Sequence, residues 1–326
     1  MPERRAGNNR TLKITDSERQ SLQKSITEAS DLRHSGFQDL LINADLSDVI
    51  DSIPDGVADL IIIDPPYNLT KDFNGMTFSA CSDVAYEAYL RTWFHKVCQK
   101  LKPDGSLYLC GDWRCTSSLQ RVMSEELTII NRITWQREKG RGARRNWKNA
   151  MEDIWFGVKN PRDYYFNVEA VKMKRQVLAP YKAGGEPKDW EETDSGRFRI
   201  THPSNFWDDV CVPFWSMPEN TDHPTQKPEK LYAKLILASS AEGGLIFDPF
   251  AGSGTACVVA KKLRRHYIGV EINREYCLWA AKRLQTAEND TSIQGYSDGV
   301  FWERNTLAMQ KNSVRLNKKY DGNENY

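Results

Sequence analysis

Asp64-Pro65-Pro66-Tyr67 is the stretch whose residue types could do the most specific chemistry in this sequence. It follows ADLIII (residues 58–63), a nearly continuous apolar run suited to a strand buried on both faces of a parallel sheet. Two successive prolines stop a central strand and a helix interior alike, so the motif is expected on a stiff loop at a strand's carboxyl end. A carboxylate and a backbone carbonyl held there are two acceptors aimed at one point. Such a pair suits an amine whose lone pair is delocalised into a ring. Acceptors on both amino hydrogens favour a more tetrahedral nitrogen and free the lone pair for attack, and a preorganised loop needs little rearrangement as charge develops. Tyr67 adds a flat face for stacking.

A second stretch, Leu245-Ile246-Phe247-Asp248-Pro249-Phe250-Ala251-Gly252-Ser253-Gly254-Thr255, has the pattern of a strand, a tight glycine turn and a helix start. Gly252 and Gly254 let the backbone approach a ligand and expose helix N-terminal amides. Glu271, 17 residues after Gly254, closes the next apolar run (YIGVEIN, ending at Asn273), where an acid can accept hydrogen bonds from two ribose hydroxyls. Position 257 is cysteine, so the third glycine of a pyrophosphate fingerprint is missing and a nucleoside without phosphates is the better ligand. His223-Pro224-Thr225-Gln226-Lys227-Pro228 precedes a further helical pattern. Lys227 could pair with a carboxylate, and Pro228 suits a first helical turn.

The elements that must position these residues alternate. Strands are expected at 39–45, 58–63, 106–110, 129–135, 153–158, 244–247 and 267–270. Helices are expected at 46–53, 84–101, 117–126, 229–239, 254–263 and 275–284. The alternation stops between 160 and 221 and then resumes. This predicts an α/β fold, a doubly wound Rossmann-like sheet assembled from two sequence halves, 37–159 and 222–287, around an insert at 160–221. Residues 1–36 are expected to be a loosely attached arm with a helix near 17–30, and the tail at 288–326 to be only partly ordered.

DPFAGSGT and HPTQKP resemble the S-adenosylmethionine-binding segments of DNA amino-methyltransferases, and DPPY resembles the catalytic motif of those acting on N6 of adenine. Relatives acting on N4 of cytosine more often begin that motif with serine and stand as the alternative. The catalytic block precedes the cofactor block, as in the family's circularly permuted beta class. The resemblance covers residues 39–160 and 222–285. It implies that Asp64, Pro65, Pro66 and Tyr67 are catalytic, with Asp64 and the Pro65 carbonyl holding the amine. Tyr67, with Phe73 or Trp135, would flank a base extruded from the duplex. It further implies that Asp45, His223, Thr225, Gln226, Lys227, Asp248, Phe250, Ala251, Gly252, Ser253, Gly254, Thr255, Glu271 and Asn273 bind S-adenosyl-L-methionine, and that the insert recognises the target in double-stranded DNA. Many relatives form homodimers and some work beside a cognate restriction endonuclease; both stay open for this chain.

The 326 residues carry a net charge of +1, a 40% hydrophobic fraction and a 27% charged fraction, ordinary for a globular protein. No apolar run approaches the roughly 20 residues of a membrane span, and nothing resembles a secretory signal. Seven scattered cysteines without a CxxC pair argue for free thiols in the cytoplasm and against a metal site. The run REKGRGARRNWK (137–148) is half basic. Arg141, Arg144, Arg145 and Lys148 are candidates for phosphate or base-edge contacts, and Trp147 for a wedge; a solvated loop is the bland alternative. Trp190, Phe206, Trp207, Phe214 and Trp215 are expected to form a small satellite core. Lys172, Lys174 and Arg175 could serve either purpose. The rivals are a methyltransferase for RNA or a protein glutamine, against which the insert and block order speak, and an inactive DNA-binding protein, against which the intact motifs speak.

Overall fold

A computed structural model describes residue 7, residues 9–34, 36–73, 76–137, 145–177, 181–193 and 196–303. Its main sheet contains β1 (Thr27–Glu28), β2 (Leu40–Asn43), β3 (Ala58–Ile63), β4 (Leu101–Asp112), β5 (Thr128–Gln136), β6 (Met151–Val158), β7 (Phe206–Trp207), β8 (Leu245–Asp248) and β9 (His266–Glu271). The spatial order is β1-β2-β9-β8-β3-β4-β6-β5-β7. Every pairing is parallel except those of β6, which runs antiparallel to both β4 and β5. Along β3 the side chains alternate between two cores. Leu60 and Ile62 join one cluster with helices α5 (Glu229–Ser239), α6 (Thr255–Lys262) and α7 (Arg274–Thr286), while Ile61 and Ile63 join the other with α3 (Asp83–Gln99) and α4 (Thr116–Glu126). A strand covered on both faces has no polar side to show, which is why residues 58–63 read as an unbroken apolar run.

The two sequence halves interleave. β2 and β3 are neighbours in the chain but are separated in the sheet by β9 and β8. The adjacent strands β2, β9, β8 and β3 all point the same way, and Asp45, Glu271, Asp248 and Asp64 sit at or just beyond their carboxyl ends. In open parallel sheets ligands bind in the crevice there, where connections depart to opposite sides.

The N-terminal segment departs from expectation. Its helix α1 (Asp16–Gln23) carries a capping box formed by Thr15 and Glu18, and β1 extends the main sheet. Arg19 forms a two-pronged ion pair with Glu275 of α7 at 2.6 and 2.8 Å, Glu18 pairs with Lys282, and Arg10 and Leu12 donate backbone hydrogen bonds to Trp215 and Asn220. The segment is therefore docked, through these polar contacts and through Leu22, Ile26 and Leu32, which are buried in the two cores but too widely spaced to show as a periodic stripe. The tail differs too: Val300–Trp302 joins Met173–Gln176 of the insert in a second, five-stranded sheet. The expected satellite core does not form: Trp190 and Trp207 are buried, but Trp207 joins one of the two main cores, and Phe206, Phe214 and Trp215 are exposed. Lys174 lies over the rings of Phe198 and Trp302, and Lys172 pairs with Glu169. No described helix is long and apolar enough to cross a membrane.

Candidate active site

Beyond β3, the proline loop turns Asp64 and Tyr67 toward the middle of the sheet's carboxyl edge. Tyr67 donates its hydroxyl hydrogen toward Asp64 Oδ1 at 2.8 Å, with Glu152 Oε2 also in reach at 3.2 Å. Lys227 Nζ donates to Asp64 Oδ2 at 2.6 Å and to the Tyr67 hydroxyl at 3.2 Å, and lies 3.4 Å from Glu152 Oε2. Arg137 pairs with the other Glu152 oxygen. Two acids and two bases thus balance around one phenol. Burial alone would lower the Lys227 pKa, but Asp64 and Glu152 outweigh it and hold the ammonium above the ordinary lysine value. Burial, then Asp64 and Glu152, push the Tyr67 hydroxyl well up, so it stays protonated and donates. The Pro66 carbonyl accepts from the Tyr86 hydroxyl at 2.9 Å, which ties the loop to α3.

Next to this cluster lies the glycine turn. Gly252 (φ +54°) and Gly254 (φ +75°) both occupy the left-handed region. A Cβ on Gly254 would stand 2.5 Å from Ala280 Cβ on α7, so the turn and α7 can meet only if 254 is glycine. Glu271 is buried and accepts from the backbone amides of Gly252 at 2.8 Å and Asn273 at 2.7 Å. Burial raises its pKa to about 7, against those two hydrogen bonds. Asp248, buried below the turn, is pushed to about 8 by burial and accepts from the Phe250 amide at 3.1 Å. His223 packs edge-on to Tyr276 and accepts at Nδ1 from the Thr225 amide at 3.3 Å; burial lowers its pKa to about 3, which keeps it neutral.

Asp64, Tyr67 and Lys227 open into the same cleft as the glycine turn, a cavity of about 540 Å³. Asp45, Pro65, Pro66, His223, Thr225, Gln226, Phe250, Ala251, Gly252, Ser253, Thr255, Glu271 and Asn273 also line it, so nearly all the predicted cofactor and catalytic positions converge. Several have local tasks as well. Asp45 caps the helix at Leu46–Val49, Asn273 caps α7, and Gln226 braces its own loop by accepting from Thr221 and donating to the Glu219 carbonyl. Thr255 donates its hydroxyl to the Lys227 carbonyl at 3.1 Å, which links the helix start to the lysine.

Trp135 is not a base-flanking residue. It is 1% exposed and donates from its indole to the Val210 carbonyl, deep in a core. The Phe73 side chain, Arg141 and Arg144 lie outside the described residues. Arg145, Trp147 and Lys148 are exposed on the described end of the basic run. Glu152, Arg137, Lys71 and Trp93 line or border the site and were not anticipated. Only Glu152 left a trace in the sequence, as an acid at the head of the apolar run IWFGV.

The family model described as DNA methylase matches residues 58–283. The type II methyltransferase M.HpaI of Haemophilus parainfluenzae is 32% identical over 251 residues, 76% of this chain and 75% of that protein. The DNA adenine methyltransferase YhdJ of Escherichia coli (strain K12) is 33% identical over 260 residues, 76% of this chain and 83% of that one. Among solved structures the M1.HpyAVI–SAM complex superposes with a TM-score of 0.52 at 23% identity, over 74% of this chain and 97% of that one, which shows a shared fold.

Proposed function

The chain belongs to the DNA methylase family of N6 and N4 amino-methyltransferases, and from that premise we propose that it transfers a methyl group from S-adenosylmethionine to N6 of adenine in duplex DNA. The observation that carries this proposal is the shared cleft: an acid on a proline-stiffened loop faces the same cavity as a glycine turn with a buried ribose-type acceptor. The residues fit the cofactor. Glu271 has the acceptor capacity for ribose hydroxyls, and the left-handed turn at Gly252 lets backbone come close. Phe250, edge-on to Trp93 at 4.9 Å, gives the cleft an apolar end suited to a purine face. When bound, S-adenosylmethionine supplies an electrophilic methyl group.

The protein's own residues do the rest. Asp64 accepts one hydrogen of the target amine and the Pro65 carbonyl the other. The Pro66 carbonyl is engaged by Tyr86, so the loop does not reorganise. Tyr67 is fixed by its hydroxyl and offers its ring to the base. The target nitrogen lies inside the duplex, so the base must be extruded to reach the cleft. Adenine is favoured over cytosine by aspartate at position 64 and by the likeness to YhdJ across most of that enzyme's length. Residues 160–221 are the target-recognition region in this proposal. The test is to incubate the protein with labelled cofactor and duplex DNA and to separate the methylated nucleosides. N6-methyladenine supports the proposal; N4-methylcytosine or no label overturns it.

Two expectations follow from the site. Glu271 must be ionised to accept from the ribose, and burial holds its pKa near 7. Cofactor affinity measured by calorimetry is therefore expected to fall as pH drops below about 7, approaching tenfold per unit, and to be level above it. Glu271→Gln should bind more weakly at pH 8 and lose the dependence. An unaltered acid limb in that variant would assign the titration elsewhere.

The second concerns DNA. Neutralising Arg141, Arg144 and Arg145 together should weaken duplex binding and reduce the slope of log affinity against log salt by about 0.9 for each phosphate that the protein no longer neutralises. Cofactor affinity should not change. Equal slopes for the wild type and the variant would leave the basic run as a solvated surface.

A further inference from the structure

Both oxygens of Asp64 are already engaged, one by Tyr67 and the other by Lys227. Each oxygen can accept a second bond, but an amine hydrogen is accepted more strongly if one of these donors moves away. The molecule offers both donors a second acceptor. Glu152 Oε2 lies 3.2 Å from the Tyr67 hydroxyl and 3.4 Å from Lys227 Nζ, slightly longer than their bonds to Asp64. Glu152 itself is 3% exposed, at the head of β6, and its remaining oxygen is anchored by Arg137. Arg137 opens the basic run, so the anchor lies where the chain leaves the sheet for the proposed DNA contact.

We infer that Glu152 is a positioning residue that takes Lys227 and Tyr67 from Asp64 as the substrate amine arrives, with Arg137 holding it at the right distance. The inference rests on the proposed role of Asp64 and extends it. Charge is conserved in the exchange. Lys227 moves from a carboxylate at 2.6 Å to one that now lies 3.4 Å away, and no proton leaves the cluster. Without Glu152 the lysine would have Asp64 as its only carboxylate, and the amine would compete with a full ion pair for the same oxygen. Arg137 serves a second purpose: it compensates Glu152 while Lys227 is on Asp64, so neither acid is left buried without a cation.

The test uses full-length protein and steady-state methylation of duplex DNA. Glu152→Gln keeps size and hydrogen bonding but removes the charge that draws Lys227. It is expected to lower kcat by up to about a hundredfold, the scale of misplaced catalytic geometry. Cofactor Kd and the KM for DNA should stay within about threefold. Lys71, Cys110, His223, Tyr232 and Asp248 also face the cluster and are unchanged in the variant. Arg137→Met, at a half-exposed position, is expected to lower kcat at saturating DNA in the same direction and decides the matter if Glu152→Gln does not fold. Wild-type kcat in Glu152→Gln, or wild-type kcat in Arg137→Met where only that variant folds, overturns the exchange. Asp64→Asn in parallel separates the two levels: if it turns over like the wild type, the role of Asp64 itself falls.

Discussion

Asp64→Ala is expected to abolish methyl transfer, with a loss in kcat of at least about 10²–10³-fold, while cofactor affinity stays within about tenfold, or roughly 1.4 kcal/mol. The separation follows from the proposed roles, which give the amine to Asp64 and the cofactor mainly to the glycine turn and Glu271 of the same cleft. The variant should fold. Lys227 loses its 2.6 Å partner but keeps Glu152 at 3.4 Å, so the buried ammonium is not stranded. Calorimetry and single-turnover methylation on the same preparation read the two quantities. Wild-type turnover would remove the proline loop from the chemistry. A cofactor Kd raised far beyond tenfold would mean that Asp64 instead holds the cofactor site together through Lys227.

A comparably large effect, on stability, is expected at Asp209. This residue of the insert is 4% exposed and compensates two lysines of α5: Lys230 Nζ at 2.8 Å and Lys234 Nζ at 2.9 Å. Lys230 also donates to the carbonyls of Asp209 and Trp302. Even with Asp209 present, burial pulls the Lys234 pKa down to about 8. Removing the single carboxylate leaves two ammonium groups without a counter-ion, and Asp209→Ala should cost about 3–5 kcal/mol. Urea unfolding measures this through the midpoint. A lysine whose pKa is depressed in the fold stabilises less when charged, so the variant should regain stability as pH rises through 8 toward the unfolded lysine value. By contrast, Lys96→Ala breaks an exposed pair with Asp51 and should cost less than about 1 kcal/mol. A loss at Asp209 no larger than at Lys96 would show that the insert does not depend on this charge.

The sheet and most of the cleft were legible because their signals are local. ADLIII predicts its strand over the observed residues, and residues 229–239 their helix, since burial on two faces and a single apolar stripe each leave a pattern within a dozen residues. The glycine turn and the acid ending the next strand are likewise short-range features. What could not be read is what depends on distant partners. The docking of residues 9–28 rests on two isolated buried residues, Leu22 and Ile26, and on ion pairs such as Arg19–Glu275, and polar residues on a helix look alike whether paired or solvated. The tail strand at Val300–Trp302 is three residues long and takes its register from Met173–Gln176. Trp135, an aromatic residue near a strand end, could stack on a ligand or fill a core, and only the position of Val210 decides for the core. Glu152 was missed for the same reason: an acid heading an apolar strand acquires meaning from Arg137, Tyr67 and Lys227, three residues from three other segments.

The interleaving of the sheet also has a consequence for how the chain is made. β3 is complete at Ile63, but its neighbour β8 begins only at Leu245, about 180 residues later. At roughly 5–20 residues per second, a ribosome needs about 10–40 s to supply it. Until then β2 lacks its pairing to β9, and β3 presents an open edge next to the loop that will become catalytic. The nascent protein therefore carries two unfinished strand edges through most of its synthesis, the kind of surface that invites pairing with other chains. The binding cleft, whose floor is built by the last strands of the main sheet to emerge, cannot exist before those strands are in place. Ligand capture in this molecule is thus also a report that the main sheet has been assembled.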